Sequence, residues 1–255
     1  MFSMRLLVGL IVLLFLPSLS GATEVKLGDV VKALETPFKA QTKLLDRIQD
    51  FTAEFLQESH IASIDRTQYG EGIVSFKFLA SLEGQPSMAK FRWEYRKPSI
   101  QEIISDGQIM WVYIPENRQV IESDISQVNG QQGQNPVTFL SGLGNLSRDF
   151  VINWSAAKTD QAGDYLLQLK PRENSQFIQQ IEVVVSHKAV NNWLIKQKTG
   201  QIFPISATQI IDPNGNRTTI KFHDVQVNQN LADKLFSFTR PEGVELVNPG
   251  DQLSF

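Results

Sequence analysis

Residues Phe91–Pro115 read FRWEYRKPSIQEIISDGQIMWVYIP. In the first part Phe91, Trp93 and Tyr95 alternate with Arg92, Glu94 and Arg96, the period of a β-strand with one apolar and one charged face. Asp106-Gly107 then separates two apolar runs, Ile100–Ser105 and Ile109–Ile114. An Asp-Gly pair in that position is the strongest short hairpin signal, with both turn residues expected at positive φ. Met110-Trp-Val-Tyr-Ile114 is apolar at every position, as in a strand covered on both sides.

The same period recurs along most of the chain. Phe51, Ala53 and Phe55 alternate with Thr52, Glu54 and Leu56. Further strand-like runs cover Gly72–Leu79, Met88–Tyr95, Gln119–Asp124, Phe150–Ser155, Tyr165–Lys170, Ile181–Ser186, Trp193–Lys198, Ile205–Ile211 and Thr218–Val227. Pro115–Arg118 and Asp212–Asn216 carry the Pro, Asn, Asp and Gly of longer hairpin loops. About eleven strands joined mostly by short turns predict one antiparallel sheet, long enough that it must curl.

Two segments depart from the strand period. Leu27–Ile48 carries apolar residues on roughly one helical face; Asp29 is the expected N-cap, and Pro37 predicts a short turn followed by the main helix. Asn129–Asn135 is polar and loop-like. After it, Asn135 as N-cap, Pro136 at the first helical position, and Val137, Leu140 and Leu143 at threefold spacing predict a short amphipathic helix. Gly142 and Gly144 each weaken it by about 1 kcal/mol relative to alanine. A weak apolar helix inserted among strands is a plug, a movable lid, or a surface helix that covers the core.

The 255 residues carry a net charge of −3, with 42% hydrophobic and 20% charged side chains, too evenly mixed for a nucleic-acid binder. No Pro/Ser-rich linker or charge run divides them, so residues 23–255 read as one domain. There is no cysteine, which excludes disulfides, thiolate metal sites, cysteine nucleophiles and a lipid anchor on a cysteine. Ahead of the domain, residues 1–22 have the layout of a secretory signal peptide: Arg5, an apolar run from Leu6 to Leu16, and small residues up to a cut near Ala22. The run is too short to span a bilayer, which needs roughly 20 residues. Removal of Arg5 takes the charge from −3 to −4, and the expected mature protein is soluble and exported.

No motif with catalytic mechanics is present. GxSxG, HExxH and GxxxxGK[ST] are missing, and Gly142-Leu-Gly144 lacks the later glycine of a dinucleotide fingerprint. Glu122 and Asp124 share a strand face and read as a solvated pair. His60, His187 and His223 are widely spaced and form no metal pattern. Neither enzyme activity, cofactor nor metal is expected. The C-terminal Phe255 does not signal a membrane barrel, because Val247, Pro249 and Asp251 break the alternation. What stands out is aromatic loading, which suits either an ordinary core or a ligand cavity inside a curled sheet.

The quoted stretch resembles the outer-membrane lipoprotein carrier family (LolA): Phe91 and Trp93 as its F-x-W strand, then Pro98, the Ser105-Asp106-Gly107 hairpin, and Trp111 with Tyr113. Phe51-Thr-Ala-Glu-Phe-Leu-Gln57 looks like the family's opening pattern, and Phe236–Val244 like its closing one. The resemblance spans essentially the whole mature chain. It implies an incomplete antiparallel β-barrel with an N-terminal helix and a short lid helix over a hydrophobic cavity. It also implies a monomeric periplasmic chaperone that takes acylated lipoproteins from an inner-membrane lipoprotein-releasing ABC transporter, and hands them to an outer-membrane lipoprotein receptor. Phe91, Trp93, Tyr95 and Ile103 become the acyl-chain cavity wall; Val137, Phe139, Leu140 and Leu143 become the lid. Family members hold the lid with an arginine on the strand before F-x-W. Here Leu79–Ser87 looks like a lengthened hairpin, and the nearby bases Lys77, Lys90 and Arg92 match that position poorly. A carrier or sensor of another lipid or amphiphile on the same fold is the alternative.

Overall fold

The computed structural model describes residues 24–79, 89–125, 138–196 and 202–247. The signal-peptide region, the Leu79–Ser87 hairpin beyond Leu79, the polar Asn129–Asn135 loop, Pro136 and Val137 lie outside them.

Helix α1 (Leu27–Glu35) comes first. Twelve strands follow: β1 (Asp50–Ile61), β2 (Arg66–Phe78), β3 (Ala89–Lys97), β4 (Gln101–Ser105), β5 (Ile109–Ile114), β6 (Gln119–Asp124), β7 (Phe150–Thr159), β8 (Tyr165–Pro171), β9 (Gln180–Val185), β10 (Ile205–Ile211), β11 (Arg217–Val227) and β12 (Glu245–Val247). Between β6 and β7 lie a 3-10 helix, Phe139–Asn145, and the single turn α2 (Leu146–Asp149). Helix α3 (His187–Lys196) separates β9 from β10.

All twelve strands form one sheet in the order β12-β6-β5-β4-β3-β2-β1-β11-β10-β9-β8-β7. Two meanders, β1–β6 and β7–β11, are joined where β1 pairs with β11. The sheet is open, with β12 and β7 at its edges. It is antiparallel except at one place: β12 runs parallel to β6 and adds a strand that the expected count of about eleven lacks. Because β6 and β7 stand near opposite ends of the sheet, the segment joining them must cross from one side to the other. That crossing puts Phe139–Asp149 where a cover belongs.

Register aligns the apolar positions into rungs. Phe51, Phe76 and Phe91 are partners across β1, β2 and β3, and their rings stack at 5.4 Å for each neighbouring pair. One rung on, Ala53, Val74, Trp93, Ile103 and Val112 align. On the next, Phe55, Gly72 and Tyr95 align, and the Phe55 ring meets Trp93 at 5.0 Å and Tyr95 at 4.9 Å, both edge to face. These side chains, with α1, the lid segment and the inner faces of β7–β11, make one continuous core.

The outer face of β2–β6 is covered by the C-terminal segment. Phe236 is buried, Ile104 and Val120 are buried beneath this face, and Phe238 packs on Trp111 and Tyr113 at 6.0 and 5.5 Å. Trp111 Nε1 donates to Glu122 at 2.8 Å, so that carboxylate holds an aromatic in place.

Four local expectations are corrected. The main helix precedes Pro37 rather than following it: α1 ends at Glu35, and Pro37 opens a 3-10 turn, Thr36–Phe38, where its missing N–H costs nothing. Lys26 is the N-cap of α1, and Asp29 lies in the first turn, where its charge faces the positive helix end. At the β4–β5 turn only Gly107 takes positive φ (97°); Asp106 instead accepts the Gln108 and Ile109 N–H groups, each at 2.8 Å. The run from Trp193 is helical, in α3, rather than a strand. Ala189 and Val190 are buried and Trp193 packs on the core, a helical spacing.

The start of α3 is capped from afar. Asp164 Oδ1 accepts the His187 backbone N–H at 2.9 Å and pairs with His187 Nδ1 at 2.7 Å, while Ser206 donates to Oδ2 at 2.8 Å. Burial works to raise the Asp164 pKa, but these hydrogen bonds and the neighbouring imidazole outweigh it and hold the carboxyl below its usual range. Ser206 donates to the aspartate and not to the histidine, so this is a cap and not the Ser–His pairing of nucleophilic catalysis.

Candidate functional site

The wall and lid positions converge on the interior. Phe91 and Trp93 are fully buried, Ile103 is nearly so, and Tyr95 packs on the same core. Phe139, Leu140 and Leu143 are likewise buried in that cluster, and Val137 lies outside the described residues. The lid is mainly a 3-10 helix rather than an α-helix. Its three residues per turn put Leu140, Leu143 and Leu146 on one side, and all three are at most 1% exposed. Phe139 meets Phe150 of β7 edge to face at 6.2 Å, which ties the lid to the sheet edge.

Along the inner face of β1 the chemistry changes. Phe51 and Phe55 belong to an aromatic floor, whereas Gln57 and Ser59 further along are polar. Tyr95 Oη donates to Gln57 Oε1 at 2.8 Å, and Gln57 Nε2 donates to Ser59 at 3.0 Å. Burial pushes the Tyr95 phenol up to about 12, so it remains a neutral donor. Between floor and rim stands Trp93, whose buried indole N–H has no hydrogen-bond partner among the described residues. An N–H kept from water without an acceptor costs on the order of 1–3 kcal/mol.

The bases near the implied arginine position serve the outer face. Lys77 Nζ donates to the Leu231 carbonyl at 2.8 Å and to Asp233 at 2.7 Å; Lys90 lies 3.3 Å from Asp233. Arg92 donates to the Leu235 carbonyl at 3.3 Å and to Glu102 at 2.7 Å. Hydrogen bonds from Lys77 and Lys90, with their charges, hold the Asp233 carboxyl below its ordinary value. These contacts pin the C-terminal segment and not the lid.

An acid fastens the lid instead. Glu35, 3% exposed at the end of α1, accepts the backbone N–H of Ser147 through one carboxylate oxygen and pairs with Lys39 at 2.9 Å through the other. Arg172 Nη2 donates to the Ser147 carbonyl at 3.3 Å from the far side. Glu35→Ala is therefore expected to speed hydrogen exchange at the Ser147 amide on the order of tenfold or more, with Glu35→Gln between it and the native protein. Unchanged exchange in the alanine variant would assign the fastening to other contacts.

Sequence reading did not single out Glu35 or the wall residues Phe55, Gln57 and Phe76. Phe55 and Gln57 sit in the opening motif, and parity with Phe51 places them inward. Glu35 carries no such signal, being one acid at the end of an amphipathic helix. Two surface grooves, of about 450 and 510 Å³, lie on the outer side of β1, β2 and β11, lined among others by Leu56, Tyr69 and Lys221 and by Glu54, Arg96 and His223. Gln57 of the rim also lines the first, and Phe55 of the core the second. Among the described residues no acidic or histidine cluster is arranged to hold a metal ion, and no helix is long and apolar enough to cross a membrane.

Residues 46–209 match the family model described as outer membrane lipoprotein carrier protein LolA. The chain belongs to that family. Among its relatives, the outer-membrane lipoprotein carrier protein of Pseudomonas aeruginosa is 30% identical over 207 residues, covering 81% of this chain and 85% of that protein. The carrier protein of Neisseria meningitidis is 28% identical over 216 residues, covering 82% and 89%. A solved LolA superfamily protein from Nitrosomonas europaea aligns with a TM-score of 0.39 at 14% identity, over 84% of this chain and 98% of that one.

Proposed function

We propose that residues 23–255 form a single LolA-family carrier domain, which holds the acyl chains of lipoproteins inside its sheet and ferries them across the periplasm. The observation that carries this is the interior itself. An aromatic floor of Phe51, Phe76 and Phe91 lies in one continuous apolar core with Phe139, Leu140 and Leu143, on a segment that crosses between the ends of an open sheet. Each methylene removed from water contributes roughly 0.8 kcal/mol, so two or three acyl chains cannot stay exposed in an aqueous compartment. In this reading the lid segment swings away and Phe139, Leu140 and Leu143 exchange core contacts for contacts with the chains, with Val137 as a further lid residue. Phe91, Trp93, Tyr95 and Ile103 remain as wall. Because a ligand shifts an equilibrium only by its difference in affinity between states, closing the lid on side chains of its own keeps the cargo releasable.

The role needs no catalytic group. It calls for a signal peptide over residues 1–22, cargo supplied by an inner-membrane lipoprotein-releasing ABC transporter, and delivery as a monomer to an outer-membrane lipoprotein receptor. Native mass spectrometry of the protein, purified without detergent from the periplasm of its host, tests the reading. A bound mass equal to an acylated lipoprotein supports it. Bound phospholipid or another amphiphile moves the function to a general lipid carrier. Empty protein that also fails to release lipoproteins from spheroplasts overturns it.

A further inference from the structure

We infer that the Trp93 indole N–H is the hydrogen-bond donor for the acyl carbonyl of the cargo, the ester or amide oxygen at the root of a fatty chain. The inference deepens the carrier reading and rests on it. Trp93 is fully buried, and its Nε1 has no partner among the described residues. Phenylalanine would fill much of the same volume without a stranded donor, so the indole is useful only if something brings it an acceptor.

Its position says which acceptor. On the inner face Trp93 stands one rung beyond the Phe51, Phe76 and Phe91 ladder and one rung before Tyr95, whose hydroxyl is already committed to Gln57. Successive inward residues on a strand are roughly 7 Å apart. A chain whose methylenes lie over the phenylalanines reaches Trp93 with its carbonyl and leaves its polar head at the Tyr95–Gln57–Ser59 rim. The carbonyl oxygen is the strongest acceptor at the root of an acyl chain, and it accepts without donating. The indole N–H donates without accepting. Trp93 thus sets how deeply a chain seats, and it favours acyl over alkyl chains.

The test compares two synthetic lipopeptides with the same peptide and chain length. One carries ester-linked dipalmitoylglyceryl-cysteine, and the other has ether links in place of both ester carbonyls. The native protein should bind the ester probe about five- to tenfold more tightly, the usual net worth of one hydrogen bond to a buried donor. Trp93→Phe should bring the two probes within about twofold of each other by weakening only the ester. A reading that needs no variant is the Trp93 indole proton resonance in the native protein, which should move downfield with the ester probe and not with the ether probe. Equal affinities and no resonance shift in the native protein overturn the inference and leave the carrier reading standing. An ester preference that survives in Trp93→Phe also overturns it, by placing the donor elsewhere. Failure of both probes to bind native protein overturns the carrier reading, and this inference with it.

Discussion

Leu143→Ala is expected to open the lid without unfolding the sheet. Leu143 is fully buried, in line with Leu140 and Leu146 on the inner side of the 3-10 helix. Cutting such a leucine back to alanine costs about 2–5 kcal/mol when the site cannot collapse around the loss. The cost falls on the closed lid, because Leu143 belongs to Phe139–Asp149, a segment whose bonds to the sheet and to α1 include those of Glu35 and Arg172 at Ser147 and the Arg172 N–H to Asp149 carbonyl bond of 3.0 Å, all at its far end. The open fraction should rise on the order of 30-fold or more, read as faster hydrogen exchange over residues 139–149. Exchange in β1–β3 should hardly change. A parallel rise in those strands would show that lid and sheet open as one unit, which a carrier with a movable cover does not do.

Gly72→Ala is expected to be among the most damaging single changes in the sheet. A Cβ at Gly72 would stand 1.9 Å from the Glu94 carbonyl oxygen, 2.8 Å from its carbonyl carbon and 3.0 Å from the Tyr95 Cα. All three are backbone atoms, so no rotamer change relieves the clash. The register shifts between Glu71 and Gly72, and strands β2 and β3 draw together there, with Phe55 and Tyr95 meeting across the missing side chain. Alanine must push the strands apart, which costs about 3 kcal/mol or more and lowers Tm by roughly 6–12 °C in a chain of this size. Gly142, in the lid, is the internal contrast. A Cβ there meets nothing within 4 Å, so Gly142→Ala should stabilise the lid by about 0.5–1 kcal/mol. Thermal unfolding of the Gly72 variant that matches native protein would mean that the two strands can part freely at this point.

Most strands were legible because a half-buried strand must alternate. Phe51, Ala53 and Phe55 are buried where parity puts them, and Ala89, Phe91 and Trp93 follow the same rule in β3. The elements misread are those whose conformation is set by distant partners. Residues 193–196 belong to a helix whose first turn is capped by Asp164, held in turn by Ser206 of β10. Strand β12 is too short to show a period and exists because β6 offers it an edge. The threefold spacing of Val137, Leu140 and Leu143 was visible, but such spacing serves a loose α-turn as well as a 3-10 helix, and packing of Leu140 and Leu143 against the core selects between them.

The order of residues was enough to settle which side chains face inward, since a period of two admits a single assignment once one strand is placed. It therefore put Phe91, Trp93 and Tyr95 on one face and Arg92 on the other, whereas Ile103 joined that wall only through the family resemblance. It could not say that Glu35 closes on Ser147, 112 positions away, or that Lys77, Lys90 and Arg92 serve the C-terminal segment. Nor could it say that the Trp93 N–H is left without an acceptor. Polar pairing depends on which atoms remain within about 3 Å after strands distant in sequence have packed, and only the folded chain fixes that.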